Sequence, residues 1–449
     1  MPDLSEGDSN LSPLRKTWYR GLDQPTRDLL DRDNAVFLHQ SLSTPCLNVL
    51  KGCDGSLLTD VQGREFLDFH GNSVHQVGFS NPGVTRAIVE QITTLSFCTR
   101  RYTNETAIRL AEKLVQLAPG NLGKVLFAPG ATSSVGMALK LARVATGRHK
   151  TLSMWDSFHG ASLDAISVGG ESIFRKDMGP LLPGTEHVPP PEPYRCLFDD
   201  IGDCSRCNLK CARFVEYVLE KEGDVAAVIA EPIRCTFITE PPPGYWEAVR
   251  AACSRHGTLL IFDETAVCLG RTGKMFAFEH YDVIPDMVVI GKGLGGGIIP
   301  FSALIAAKDL DLAPDRALGH YTHEKNPVAC AAALATIECI ETEKLLTRAL
   351  KLGQSAKDRL DDLQNRFHSI GEVRGQGLMF GLDLVKDRHT RTPDPELADR
   401  IMYTCLEKGL SFKVSKGHFL TLTPPLTISE DDLSRALDIL EQSFSEHTP

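Results

Sequence analysis

Five apolar runs in the middle of the chain leave it few ways to fold. They are "KVLFAP" (124–129), "VAAVIAEP" (225–232), "TLLIFDE" (258–264), "MVVIGK" (287–292) and "FSALIAA" (301–307). Each is continuously apolar rather than alternating, as a strand covered on both faces must be. Helical stretches such as "SVGMALKLARVATG" (134–147) separate them. Strands alternating with helices imply an α/β domain with a mostly parallel sheet, the helices lying on its two faces. Ligands in such sheets gather beyond the carboxyl ends of the strands. Gly130, Glu231, Asp263 and Lys292 all fall at or just after expected strand ends, so one pocket can collect them.

At 449 residues the chain is long enough for two lobes. After "NPVACAAALATIECIE" the pattern changes to a long helical stretch, "GEVRGQGLMFGLDLV", a further helix and "FLTLTPPLTIS". We therefore expect a large domain over residues 71–325, a smaller α+β lobe over 326–449, and an N-terminal segment, 1–70, joining the small lobe. A net charge of −10 argues against a nucleic-acid binder but leaves room for a small anionic ligand in a locally basic pocket. The opening "MPDLSEGDSN" lacks the basic region and apolar core of a secretory signal, and no apolar run approaches the roughly 20 residues that span a bilayer. Thirteen scattered cysteines read as reduced thiols, so a cytoplasmic location is expected. Four of them, Cys196, Cys204, Cys207 and Cys211, include a Cys-x-x-Cys core that resembles half a zinc site. Their spacing is irregular, and free thiols packing a loop, without metal, are the expectation.

The residues at the strand ends carry recognisable chemistry. "FAPGATSS" is a glycine-containing turn from strand into helix, where backbone N–H groups and the hydroxyls of Thr132 and Ser133 can seat a phosphate. "SFHG" (157–160) places the Phe158 ring where it can stack on a flat heterocycle. Asp263 ends an apolar strand, and a carboxylate there needs a partner, for which a protonated ring nitrogen is suited. Lys292, between Gly291 and Gly293, offers a pocket amine. A phosphate seat, a stacking ring, a buried carboxylate and a lysine together describe a pyridoxal phosphate site.

The run "LLIFDETAVCLGRTGKMFAFEHYDVIPDMVVIGKGLGGG" strongly resembles the class III aminotransferase family, fold-type I pyridoxal phosphate enzymes, and the resemblance extends from "LTDVQGREFLDF" to "PPLTIS". It implies Lys292 as the lysine covalently tied to the cofactor, Asp263 on the pyridine nitrogen and Phe158 stacked on the ring, with His159 and Glu231 beside them. Gly130, Ala131 and Thr132 take the place of the phosphate-cup turn. Thr322 in "HYTHEKNP" matches the position that reaches the cofactor phosphate from a neighbouring subunit. A homodimer with shared active sites, or a tetramer built from it, is thereby implied.

The sequence departs from an ordinary transaminase where an α-carboxylate would bind. Many family members use an arginine just before "PPL", screened by a glutamate after the "EP" strand end. Here Thr421 and Thr236 stand in those places. The usual "DExQ" reads "DETA", with Ala266 for glutamine, and "SGTEA" reads "GATSS". Two readings follow. One is a carbon–nitrogen lyase acting on a small β-hydroxy amine that carries a phosphonate, as "FLHQSLSTPCLNVLKG", "FLDFHGNSVHQVGF" and "GHYTHEKNP" resemble the ammonia-lyases of phosphonate breakdown. The other is a transaminase with an unusual amine donor. A small anionic substrate needs cationic partners: Arg101 and Arg234 are the leading candidates, with Arg100, Lys413 and Lys416 behind them, and His75 and Gln76 near the substrate. Arg271 in "GRTG" reads as a structural turn residue.

Overall fold

The structure, a computed structural model, describes residues 11–198 and 204–448, with Ser205 described by its backbone alone. The polar N-terminal decamer thus lies outside the described residues. The chain folds as two compact units. The larger comprises Pro82–Cys235 and Thr239–Leu346; the smaller comprises the chain up to Asn81, Thr236–Ile238 and Thr347–Pro449.

The larger unit is built on a seven-stranded sheet. Its strands in chain order are β1 (Leu122–Ala128), β2 (Lys150–Met154), β3 (Thr185–Val188), β4 (Val225–Ala230), β5 (Leu259–Asp263), β6 (Met287–Ile290) and β7 (Ser302–Ala307). They lie in the order β1-β7-β6-β5-β4-β2-β3. Pairings from β3 through β2, β4 and β5 to β6 are parallel, and β7 alone runs against its two neighbours. Every residue of β4, β6 and β7 is buried, which explains the unbroken apolar runs. The helix Ala131–Thr146 packs Val135, Leu139 and Ala142 into a core shared with Ile229, Ile261, Val289 and Leu304. Register pairs Ala230 with Phe262 and Asp263 with Val289, so Glu231, Asp263 and the β6 end emerge side by side.

The smaller unit holds two sheets. Leu50–Asp54, Leu57–Asp60 and Glu65–Asp68 form an antiparallel meander closed by a parallel pairing with Leu410–Ser411. Ile370–Gly375, Phe380–Asp387, Phe419–Leu422 and Lys413–Ser415 form an antiparallel sheet, with Thr392–Pro393 added at Phe380–Asp387. The helices Pro395–Glu407 and Glu430–His447 pack against one another.

These boundaries differ from the sequence expectation in three places. Residues 71–81 and Thr236–Ile238 go with the smaller unit, and the helix Pro327–Thr342 goes with the larger one. That helix is apolar on nearly all sides and packs on Pro82–Thr94 and on the turn Lys292–Gly295. A helix buried all round belongs to whichever core surrounds it, and periodicity does not say which.

Candidate functional site

The site forms where the carboxyl ends of β4, β5 and β6 meet the start of the helix Ala131–Thr146. Gly130 caps that helix with an extended backbone, and a side chain there would meet open space. The first helical turn leaves the N–H groups of Ala131 and Thr132 without hydrogen-bond partners among the described residues, while Ser133 and Ser134 bond to the Gly130 carbonyl at 3.0 and 3.3 Å. Unspent donors at the positive end of a 16-residue helix make an anion seat. Of the two expected hydroxyls, Thr132 Oγ1 lies against Gly160, whose added Cβ would fall 2.1 Å from it; Ser134, beside the expected Ser133, bonds Ser302 at 2.7 Å.

Two close approaches pull the rest together. Gly160 sits at φ 121°, which only glycine adopts without strain, and this lets the Ser157–Gly160 loop touch Thr132. Gly291 packs so tightly that a Cβ would lie 3.2–3.3 Å from side-chain carbons of Ala131, Ser302 and Thr265. Lys292 follows with a positive φ of 47°, so its side chain leaves the strand end at an unusual angle. The residue is half-buried, and its amine has no hydrogen-bond or ion-pair partner among the described residues.

Asp263 is buried and bonded to His159 Nδ1 at 2.9 Å and to the N–H and hydroxyl of Thr265. Burial alone would push its carboxyl up, but the bond to His159, that ring's charge and Thr265 outweigh it and hold the carboxyl below its ordinary value. A lasting carboxylate is what a protonated heterocycle requires. Glu231 is half-buried and accepts the Phe158 N–H at 3.1 Å, fixing the loop that presents the ring. Burial raises its carboxyl, with the charges of Arg234 and His159 opposing. Phe158 is braced by Phe174, ring centroids 4.6 Å apart. Thr265 was missed from sequence, although its place two residues after Asp263 is a spacing at which a side chain reaches back to a carboxylate.

The donor set fits pyridoxal phosphate: an open anion seat, a braced ring, a held carboxylate and an unpartnered lysine converge within one unit. Thr322 is not brought against them within this chain. It lies exposed on a segment held to Phe97–Asn104 by the Phe97–His323 ring contact, the Arg100–Glu324 ion pair at 3.7 Å and the Asn104 bond to the Lys325 carbonyl.

The candidate substrate cations fare differently. Arg100 is taken up by Glu324. Arg101 is exposed and makes no ion pair among the described residues. Arg234 is 7% exposed, with Nη2 2.6 Å from Glu171 and Nη1 4.0 Å from Asp156. His75 is sealed from solvent, its Nε2 3.2 Å from the Asp68 carbonyl and its ring against Phe79, an ordinary structural setting. Gln76 is sealed likewise. Lys413 is half-buried, and Lys416, at the turn of the hairpin it shares, hangs 4.5 Å over the Phe237 ring. Arg271 is fully buried in the turn closed by the Leu269–Met275 and Gly270–Lys274 bonds.

Thr421 and Thr236 meet within the smaller unit, the Thr421 hydroxyl donating to the Thr236 carbonyl at 3.0 Å. The four clustered cysteines carry free thiols, with Cys207 and Cys211 buried. Among the described residues no group of histidine, cysteine and carboxylate side chains is placed to hold a metal ion, and no helix is long and apolar enough to cross a membrane.

Known proteins give this geometry its context. A family model described as aminotransferase class-III matches residues 39–444. The (R)-1-hydroxy-2-aminoethylphosphonate ammonia-lyase of Vibrio splendidus is 45% identical, over 98% of this chain and 95% of its own length. The leucine/methionine racemase of Thermococcus litoralis is 36% identical, over 93% and 95%. Among solved structures, a Bacillus anthracis aminotransferase superposes with a TM-score of 0.87 at 29% identity, covering 95% of this chain and all of that one. An amine transaminase from an uncultivated Pseudomonas species gives 0.85 at 32%, covering 92% and 98%. The chain belongs to the class III aminotransferase family, enzymes of fold type I whose cofactor is pyridoxal 5′-phosphate.

Proposed function

We propose that the enzyme is an ammonia-lyase that converts (R)-1-hydroxy-2-aminoethylphosphonate to phosphonoacetaldehyde and ammonia. The observation that carries this reading is the 45% identity to an ammonia-lyase of that name over nearly the whole chain. It is supported by the paired threonines at 236 and 421, where a transaminase would keep an arginine and its glutamate. A transaminase must bind an amino acid and a keto acid in turn. A lyase needs no acceptor, so loss of the carboxylate clamp costs it nothing.

Pyridoxal phosphate supplies an electron sink that stabilises negative charge on the carbon bearing the amine. The chain's residues do the remainder. The first turn after Gly130 would hold the phosphate, Phe158 would stack on the ring, and Asp263 would hold positive charge on the ring nitrogen. The Lys292 amine takes the proton from the amine-bearing carbon. The hydroxyl on the adjacent carbon leaves as water once protonated, and the enamine released from the enzyme takes up one water to give aldehyde and ammonia. Water lost and water gained balance, and no keto acid enters.

The same reading takes the enzyme to be a cytoplasmic homodimer, with Thr322 serving the partner's phosphate seat. Leu95, Phe97 and Tyr102, large apolar side chains left exposed beside the segment that carries Thr322, support a covered face there.

The test follows ammonia and aldehyde when cofactor-loaded enzyme meets the aminophosphonate without keto acid. Sustained release of both supports the lyase. One turnover that stalls until pyruvate is added identifies the second reading, a transaminase with an unusual donor, which the family membership favours.

A further inference from the structure

Arg234 and Glu171 form an unusual pair. Arg234 follows Glu231 by three residues and is only 7% exposed. An arginine buried beside a carboxylate ordinarily engages it with two prongs. Here one prong is used: Nη2 donates to Glu171 Oε1 at 2.6 Å. Asp156 stands off at 4.0 Å from Nη1, and the Nε hydrogen is sealed from solvent with no acceptor among the described residues. A buried donor without a partner is a standing cost that an incoming acceptor removes.

The surroundings fix the backbone at Arg234 and leave a space beside its side chain. Reciprocal backbone bonds of 3.2 Å between Arg234 and Thr239 close the loop at its stem. A small cavity of about 30 Å³ lies beside Arg234, walled by Ser157, Glu231, Thr239 and Trp155. Ser157 precedes the stacking Phe158, and Glu231 holds the Phe158 N–H, so the cavity adjoins the cofactor loop. The space accommodates a water, not a phosphonate. A larger anion must therefore displace Glu171, whose side chain is 19% exposed and stands at the start of the four-residue helix Ser172–Arg175.

We propose that Arg234 is the counter-ion of the substrate's phosphonate and that Glu171 is its resting partner, displaced when the dianion arrives. This rests on the reaction proposed above and names the group that recognises its substrate. Phosphonate oxygens meet both the orphaned Nε and Nη2, which one carboxylate oxygen does not. Glu171 keeps the buried cation neutralised when no anion is bound, so an uncharged amine must break the pair without compensation and is rejected.

The probe is methylphosphonate, titrated by calorimetry into holoenzyme, whose own phosphate seat is filled by cofactor. Wild type binds it; Arg234→Gln weakens binding about 30-fold or more, because a buried charge loses its partner. Arg234→Lys recovers part of the loss, keeping the charge without the fork. Glu171→Gln tightens binding, since the competing carboxylate is gone. With the aminophosphonate as substrate, KM moves in the same directions and kcat changes less.

Binding by Arg234→Gln within about twofold of wild type overturns the proposal. So does weakened binding in Glu171→Gln, the outcome for a pair that merely ties two loops together. Absence of methylphosphonate binding to wild type overturns it as well. Wild type that binds methylphosphonate but releases no ammonia from the aminophosphonate refutes the proposed reaction and leaves the assignment of Arg234 standing.

Discussion

His159 and Asp263, 104 residues apart in sequence, meet as a buried pair with the ring Nδ1 2.9 Å from the carboxylate Oδ2. The bond orients the carboxylate toward the strand ends and keeps it ionised against the pull of burial. Removing the ring strands a buried charge, which costs about 2–5 kcal/mol where such pairs have been cut. His159→Ala should therefore bind pyridoxal phosphate more weakly, by roughly 30-fold or more at the lower end of that range. The checking measurement is cofactor loss on dialysis, followed by absorbance. A variant that retains cofactor like wild type refutes the role.

Lys292, just beyond the β6 end, has φ 47° and an amine without a partner among the described residues. On the proposed reading, Lys292→Ala removes both the covalent tie and the proton acceptor. Positioned acid–base groups contribute about 10²- to 10⁴-fold, so activity should fall by at least that factor. The absorbance of lysine-bound cofactor should vanish while circular dichroism is unchanged. Unaltered turnover after loss of that absorbance would overturn the assignment.

Gly160→Ala tests the closeness of the two loops. The new Cβ would sit at φ 121° and 2.1 Å from Thr132 Oγ1. Strained backbone of this kind costs on the order of 1–3 kcal/mol. Part of it should appear as a lower Tm and, if Thr132 serves the proposed phosphate seat, part as weaker cofactor binding, because relief requires Thr132 to shift. Gly130→Ala, where a Cβ meets open space, is the control for stability.

Glu264 provides a pH signature. It is buried and accepts the N–H groups of Ala277 and Phe278 at 2.7 and 2.6 Å, and burial pushes its carboxyl up to about 8 despite them. The folded value lies above the ordinary 4.5, so the unfolded chain gives up this proton first. Stability from this group is therefore full below pH 4.5, declines as pH rises from 4.5 to 8, and is level above. In Glu264→Gln the amide donates where a carboxyl oxygen accepted, so the variant should start less stable at pH 5. Its Tm should then fall less steeply toward pH 8, which melting curves across that range will show.

The strand ends of the candidate site were legible because a strand buried on both faces writes itself as an unbroken apolar run that stops at a polar residue. "TLLIFDE" and "MVVIGK" placed Asp263 and Lys292 this way; β5 ends at Asp263 and β6 two residues before Lys292. Pairings across the sheet were not legible. Nothing local in Glu171 announces Arg234, 63 residues away, because an ion pair leaves no periodicity. The tip Thr236–Ile238 also belongs to the smaller unit while both flanks belong to the larger. Its side chains pack on the hairpin that carries Phe419, rings of Phe237 and Phe419 being 4.4 Å apart, a destination fixed by tertiary contact alone.

That packing bears on any attempt to install the arginine and glutamate at which many transaminases of the family bind a carboxylate. Thr421 is 4% exposed, donates to the Thr236 carbonyl and lies 3.3 Å from the Ser415 hydroxyl. An arginine at 421 must find room for a long cationic side chain in a closed site, at a cost of about 1–3 kcal/mol for overpacking. It would also bring a buried charge without the glutamate that should screen it. Thr421→Arg alone should lower the Tm and give no turnover with glutamate and a keto acid. Adding Thr236→Glu supplies the missing partner, so the double variant should regain part of the lost stability, and a double-mutant cycle on Tm measures that coupling. Zero coupling would mean that the two positions, though bonded through a hydroxyl and a carbonyl, do not bring their side chains together.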